Sequence, residues 1–307
     1  MRPSTILSSV ALGLFATVQA STNATLDALV ENANANLLEI LQSRVGNPSE
    51  TCTSENVLVR REWGALSSTE KKEYIAAVQC MTKLPPITPL SVVPGVRSRH
   101  DDFGASIFLA WHRYYTWAYE TALRDECGYN GTQPYWDWSS TDTIAAHPLF
   151  DGSDTSIGGN GAYVEGYTDF IILPTPVIVN VSGAAGTGGG CITDGPFSFS
   201  NYMGASTGLQ SNGHTATGGL QDDLWVSAQD PSFVFHHAQV DRVWTLWAAQ
   251  NQTVRTKEVS DTLTIKNEPP SANGTLDTTL GLGYNGGTKT IGELSSTING
   301  IFCYIYA

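Results

Sequence analysis

Asp230-Pro231-Ser232-Phe233-Val234-Phe235-His236-His237-Ala238-Gln239-Val240-Asp241-Arg242 decides how the rest of the 307-residue chain is read. Proline is tolerated in the first turn of a helix, and an aspartate just before it is a good N-cap. The spacing therefore predicts a helix running through Trp247. It carries two adjacent histidines and a carboxylate, Asp241, four residues beyond His237 and on the same face. Neutral imidazole is a frequent ligand for copper and zinc. Burying it costs free energy unless the ring is ligated or hydrogen-bonded. The side chains of His236 and His237 point about 100° apart around the helix, so His236 is expected to face away from anything His237 ligates.

A second stretch, Phe108-Leu109-Ala110-Trp111-His112-Arg113-Tyr114-Tyr115-Thr116-Trp117-Ala118-Tyr119-Glu120, predicts a long helix over Ala105 to Cys127 with an aromatic face. Gly128 suits the left-handed position that ends it. Together the two stretches resemble the paired copper motifs of tyrosinases, catechol oxidases and haemocyanins. Phe-x-x-Trp-His-Arg with its later glutamate is similar to the first motif. Asp-Pro-x-Phe-x-x-x-His-x-x-x-Asp is similar to the second. Gly213-His214-Thr215-Ala216-Thr217 resembles the segment holding the middle ligand of the second site. The aromatic segment Gln133 to Trp138 also resembles the family and counts towards the fold.

The resemblance implies a mainly α fold: a four-helix-bundle core of the tyrosinase/haemocyanin type, with long loops and a few short strands. It also implies two copper ions, each held by three histidines, oxidising phenols or catechols to o-quinones with dioxygen. His112, His214 and His237 match ligand positions. Arg113 and Asp241 are expected to pair and brace the bundle beneath the metals. A tailoring role in pigment or secondary-metabolite biosynthesis fits a short member of this kind.

The chain has six histidines: His100, His112, His147, His214, His236 and His237. They do not fill the six family positions. Gln210 stands where the partner of His214 is expected, and Phe103 where a first-site ligand is expected. In similar fungal proteins a stretch holding both missing histidines follows an Asp-Asp-Phe segment. Here Asp101-Asp102-Phe103 runs almost directly into Phe108. His100 is the candidate to fold back and replace a first-site ligand. His147, before a proline, reads as structural. The copper count expected is therefore two, one or none, the last making a non-catalytic binding or scaffold protein. Zinc hydrolysis is disfavoured, because no His-Glu-x-x-His is present.

A net charge of −13 argues against nucleic acid as a partner. No stretch beyond the N-terminus is apolar for long enough to span a bilayer. Residues 1–20 read as a secretory signal: Arg2, an apolar core over Ile6 to Val18, and Val18-Gln19-Ala20 for cleavage. Residues 21–307 then form one copper-binding domain. Five Asn-x-Ser/Thr sequons, at Asn23, Asn130, Asn180, Asn251 and Asn273, fit a secreted glycoprotein. Of the five cysteines, Cys52 with Cys80 and Cys127 with Cys191 are the expected disulfides, leaving Cys303 over. Further helices are predicted over Thr25 to Val45 and after Ser67-Ser68-Thr69-Glu70. Strands are predicted over Thr288 to Ile291 and Ile301 to Tyr306.

Overall fold

The computed structural model describes residues 27–103, 109–159, 227–260, 262–264 and 267–307. Between 160 and 227 it describes 161–163, 169–171, 177–179, 189–192, 194–197, 213–214, 217 and 221. The expectations on residues 1–20, Asn23, Asn180, Gln210 and the 104–108 stretch lie outside these.

Helix α1 covers residues 27–43 and buries Ala33, Leu37 and Leu41 at helical spacing. Helix α2, Ser68–Met81, opens with a reciprocal capping box. Ser67 accepts from the Glu70 amide while the Glu70 side chain accepts from the Ser67 amide. Helix α3, Leu109–Cys127, ends as predicted. Gly128 takes φ +67°, its amide bonds Arg124 O, and the Tyr129 amide bonds Leu123 O. Helix α4, Ser232–Ala249, starts two residues after Asp230, whose carboxylate accepts from the Ser232 amide at 2.8 Å.

Helix α3 packs against both α2 and α4. The core between them is aromatic: Trp63, Tyr74 and Phe235 meet edge to face, and Phe103 lies edge-on to both Tyr115 and Tyr119. A smaller cluster seats α1 against Ala249, Ile298 and Ile305. Strands are short and paired in twos. β1 (Leu58–Arg60) runs parallel to β8 (Tyr304–Tyr306). β2 (Gly161–Tyr163) pairs with β5 (Gly189–Ile192), β3 (Asp169–Ile171) with β4 (Val177–Val179), and β6 (Thr279–Gly281) with β7 (Thr288–Thr290), all antiparallel. The fold is thus mainly α with a few short strands.

The disulfides differ from expectation. Cys52 bonds Cys303, and Cys80 bonds Cys127. The parallel pairing of β1 with β8 carries Cys303 to Cys52, although they stand 251 residues apart. The packing of α2 on α3 brings Cys80 to Cys127. Neither bond joins the expected partners, and Cys303, expected to be left over, is paired.

A buried ionic network ties these pieces beneath the helices. Arg60 on β1 bonds Glu120 on α3, and Arg113 Nε donates to Asp241 Oδ1 at 2.6 Å. Tyr304 and Tyr306 on β8 each donate to Asp241 Oδ2 at 2.7 Å. Every charge in it is paired and hydrogen-bonded, as burial requires.

Candidate metal centre

Three chain segments deliver histidines to one buried place above this network. Helix α3 supplies His112, helix α4 supplies His236 and His237, and the helical residues Gly213 and His214 arrive between them. His112 and His237 lie face to face, centroids 3.7 Å apart and planes 6° apart. His214 Nε2 and His237 Nε2 approach to 3.1 Å.

His214 is held in one tautomer. Its Nδ1 faces two acceptors, Gln221 O and Gln221 Oε1, both at 2.9 Å. An oxygen can only accept there, so Nδ1 carries the proton and the Nε2 lone pair points at His237. Gln221 is itself oriented: its amide nitrogen donates to Ser232 Oγ, and Ser232 Oγ donates to Asp230 Oδ1 at 2.7 Å. The first turn of α4 therefore sets the angle of a ring on another segment.

Burial lowers the pKa of His214, with the Gln221 bonds opposing. Burial lowers that of His237 strongly, and His112, His236 and His214 add to the shift. Both rings are neutral near pH 7, the form that can ligate a metal.

His236 does not face away. Ligand atoms of His214, His236 and His237 lie within 4.8 Å of one another. The 100° offset describes where Cβ starts, whereas the ring of His236 reaches back past His214, centroids 4.5 Å apart. Two neighbours make this position. The Trp138 indole donates to His236 Nδ1 at 3.1 Å, and Gly213 leaves the space: a Cβ there would sit 2.1 Å from the ring.

His100 is not brought to the cluster. Its Nδ1 meets Tyr119 Oη at 3.1 Å and its Nε2 meets Gln229 O at 3.0 Å. Its amide bonds Met81 O, which ties the residue to the end of α2. His147 is structural, held between Glu62 Oε1 and the Leu149 amide. Phe103 is buried against Tyr115 and Tyr119.

Residues 98–210 and 198–250 match the family model for the common central domain of tyrosinase. Tyrosinase-like protein orsC of Emericella nidulans is 34% identical to the chain, over 77% of the chain and 88% of its own length. The chain belongs to the tyrosinase family. N-acetyl-6-hydroxytryptophan oxidase ivoB of the same organism is 30% identical, over 84% of the chain and 94% of its own length. A mutant polyphenol oxidase from Thermothelomyces thermophila shares the fold at TM-score 0.80 and 31% identity, covering 92% of this chain and 97% of that one. The chain is a tyrosinase-like oxidoreductase, and the family implies copper.

The donor set fits that metal. Two neutral imidazole nitrogens converge with one tautomer already fixed, and His237 Nδ1 is buried without a hydrogen-bond partner among the described residues. Nitrogen donors suit both copper oxidation states. Sequence reasoning missed His236, Trp138 and Gln221. The adjacent histidines and the aromatic Gln133 to Trp138 segment were visible signals for the first two. Gln221 carried none, since only the fold brings it to His214.

Proposed function

We propose that this tyrosinase-family chain oxidises a phenol or catechol to the o-quinone, with dioxygen as oxidant and copper held by His112, His214 and His237. The observation that carries the reading is the 3.1 Å approach of His214 Nε2 to His237 Nε2, with Gln221 fixing the His214 tautomer. Copper, when bound, supplies the redox chemistry that passes electrons from phenol to dioxygen. The chain's own residues do the rest. Gln221 and Ser232 aim His214, Arg113 and Asp241 hold α3 against α4, and Phe233 packs on the His237 ring at 4.2 Å, screening it from water.

A tailoring role in secondary metabolism is supported by the tryptophan-derived substrate in the name of one relative. Secretion after removal of residues 1–20 is supported by two disulfides and by the exposure of Asn130, Asn251 and Asn273. No helix among the described residues is long and apolar enough to cross a membrane.

A second reading, one copper rather than two, is favoured by Phe103 and His100. The first is packed into the aromatic core, and both ring nitrogens of the second are engaged by protein. The deciding measurement is copper per chain after reconstitution, together with oxygen uptake on a catechol. Uptake with a ratio near two supports a complete pair, and uptake with a ratio near one supports the single ion. No copper and no uptake would reject both.

A further inference from the structure

Three oxidisable rings stand in file along α3. Trp111, Tyr115 and Tyr119 recur every four residues and share one face. Trp111 and Tyr115 stack with centroids 5.2 Å apart and planes at 24°. Tyr115 and Tyr119 follow at 6.3 Å and 12°. The file begins at the metal centre, because Trp111 lies edge-on to His112 at 5.1 Å and His112 stacks on His237. It ends about 12 Å further along the helix axis. All three rings are buried.

The rings differ in where their protons can go. A phenol or indole that loses an electron becomes a strong acid, so its oxidation is easy only beside a base. Trp111 Nε1 donates to Gly281 O and Tyr115 Oη to Ala228 O, and carbonyl oxygens are feeble bases. Of the three, Tyr119 is the one whose polar hydrogen meets an imidazole nitrogen. Gln229 O can only accept, so His100 Nε2 carries the ring proton and the Nδ1 lone pair faces Tyr119 Oη at 3.1 Å. Burial keeps His100 neutral and holds the Tyr119 phenol protonated, so the pair is poised before any oxidation. Tyr304 and Tyr306 also face a base, Asp241. There the Arg60 guanidinium lies 3.7 Å over the Tyr304 ring and 5.7 Å from the Tyr306 ring, which opposes withdrawal of an electron.

We infer that Tyr119 and His100 form a redox-active pair wired to the metal centre through Tyr115 and Trp111. One electron leaves Tyr119 along the stacked rings to the His112 end, and the phenolic proton moves to His100 Nδ1. The products are a neutral tyrosyl radical and an imidazolium whose Nε2–H stays on Gln229 O. The electron acceptor is a peroxide-level oxidant derived from dioxygen at the centre when no phenol is at hand; this clause rests on the copper oxidase reading. The pair then stores one oxidising equivalent away from the histidines. A phenol at the centre returns the electron, leaving as a phenoxyl radical whose own proton passes to solvent, and His100 returns its proton to Tyr119.

The test uses copper-free protein, so that its failure is separable from failure of the copper reading. Photogenerated tris(bipyridine)ruthenium(III) serves as a one-electron oxidant, with the radical followed by electron paramagnetic resonance. A Tyr284→Phe background removes a tyrosine exposed to solvent. The expected result is a tyrosyl radical that Tyr119→Phe removes and that forms more slowly in deuterium oxide. His100→Gln should slow its formation roughly hundredfold, the scale of a lost positioned base. Tyr304→Phe should leave it unchanged. A radical that persists in Tyr119→Phe, or forms with no solvent isotope effect, overturns the inference whatever the copper content proves to be.

Discussion

Arg113 Nε and Asp241 Oδ1 meet at 2.6 Å across α3 and α4, each one residue or one turn from a histidine of the metal centre. The contact is nearly sealed from water, and Arg113 also lies 3.7 Å over the Trp244 ring. Removing one partner leaves the other charge buried with fewer partners. Arg113→Ala should therefore cost about 3 kcal/mol of stability. Chemical denaturation of both proteins, without copper, would show it. An unchanged midpoint would mean that the pair does not brace the bundle.

Gln221 acts on the metal through His214. Gln221→Leu keeps the bulk and the backbone acceptor, but removes the side-chain acceptor on Nδ1 and its link to Ser232, so the His214 ring is held less tightly. Copper affinity, measured by competition with a chelator, is expected to fall about 10- to 100-fold, with the helix content unchanged. His237→Ala should abolish binding at this position outright.

Gly213 is a matter of space. The Cβ of Gly213→Ala would lie 2.1 Å from His236 Cε1 and 2.2 Å from Nδ1, so the ring must move and its bond with Trp138 must stretch. A loss of about 1–3 kcal/mol is expected from such overpacking. Thermal melting checks the size, and Trp138→Phe combined with it should be less than additive.

His100, His214 and His237 all have pKa values lowered by burial from the ordinary 6.5. The unfolded chain therefore binds more protons than the fold in the window below 6.5 and down to the folded values. Stability contributed by these rings is fully present above that window and lost as pH falls through it. Urea midpoints of copper-free protein should hold near neutrality and decline from about pH 6.5 downward. Copper should raise the midpoints and extend the decline to lower pH, because protons must displace it from the His214 and His237 nitrogens before the folded chain can take them up.

The Cys80–Cys127 bond closes a span of 47 residues. By the chain-entropy estimate its removal in the double Cys→Ala variant should cost about 4 kcal/mol. A reductant on the unaltered chain opens Cys52–Cys303 as well, so the denaturant midpoint should fall further there than in the double variant.

Local pattern made much of this legible. The capping box at Ser67, the glycine stop at Gly128 and the apolar spacing of α1 are each readable from a few residues. The two histidine motifs named the family and placed His112 and His237 on facing helices. What escaped depends on distance in sequence. Gln229 captures His100 across 129 residues, and no local pattern marks Gln221 as the partner of His214. The cysteine partners were misjudged for the same reason, since β1 finds β8 at the other end of the chain. His236 was misjudged on geometry: a Cβ direction was read as if it were the position of the ring.

The Cys52–Cys303 bond, set beside the β1–β8 ladder, makes most of the chain a covalent loop. A single protease cut anywhere inside that loop opens it without freeing either piece. The nicked molecule keeps its mass under oxidising conditions, and its helices remain tethered. Reduction alone would let the fragments part. For an oxidase exposed to proteases, the clasp converts backbone damage from a loss of material into a change of connectivity.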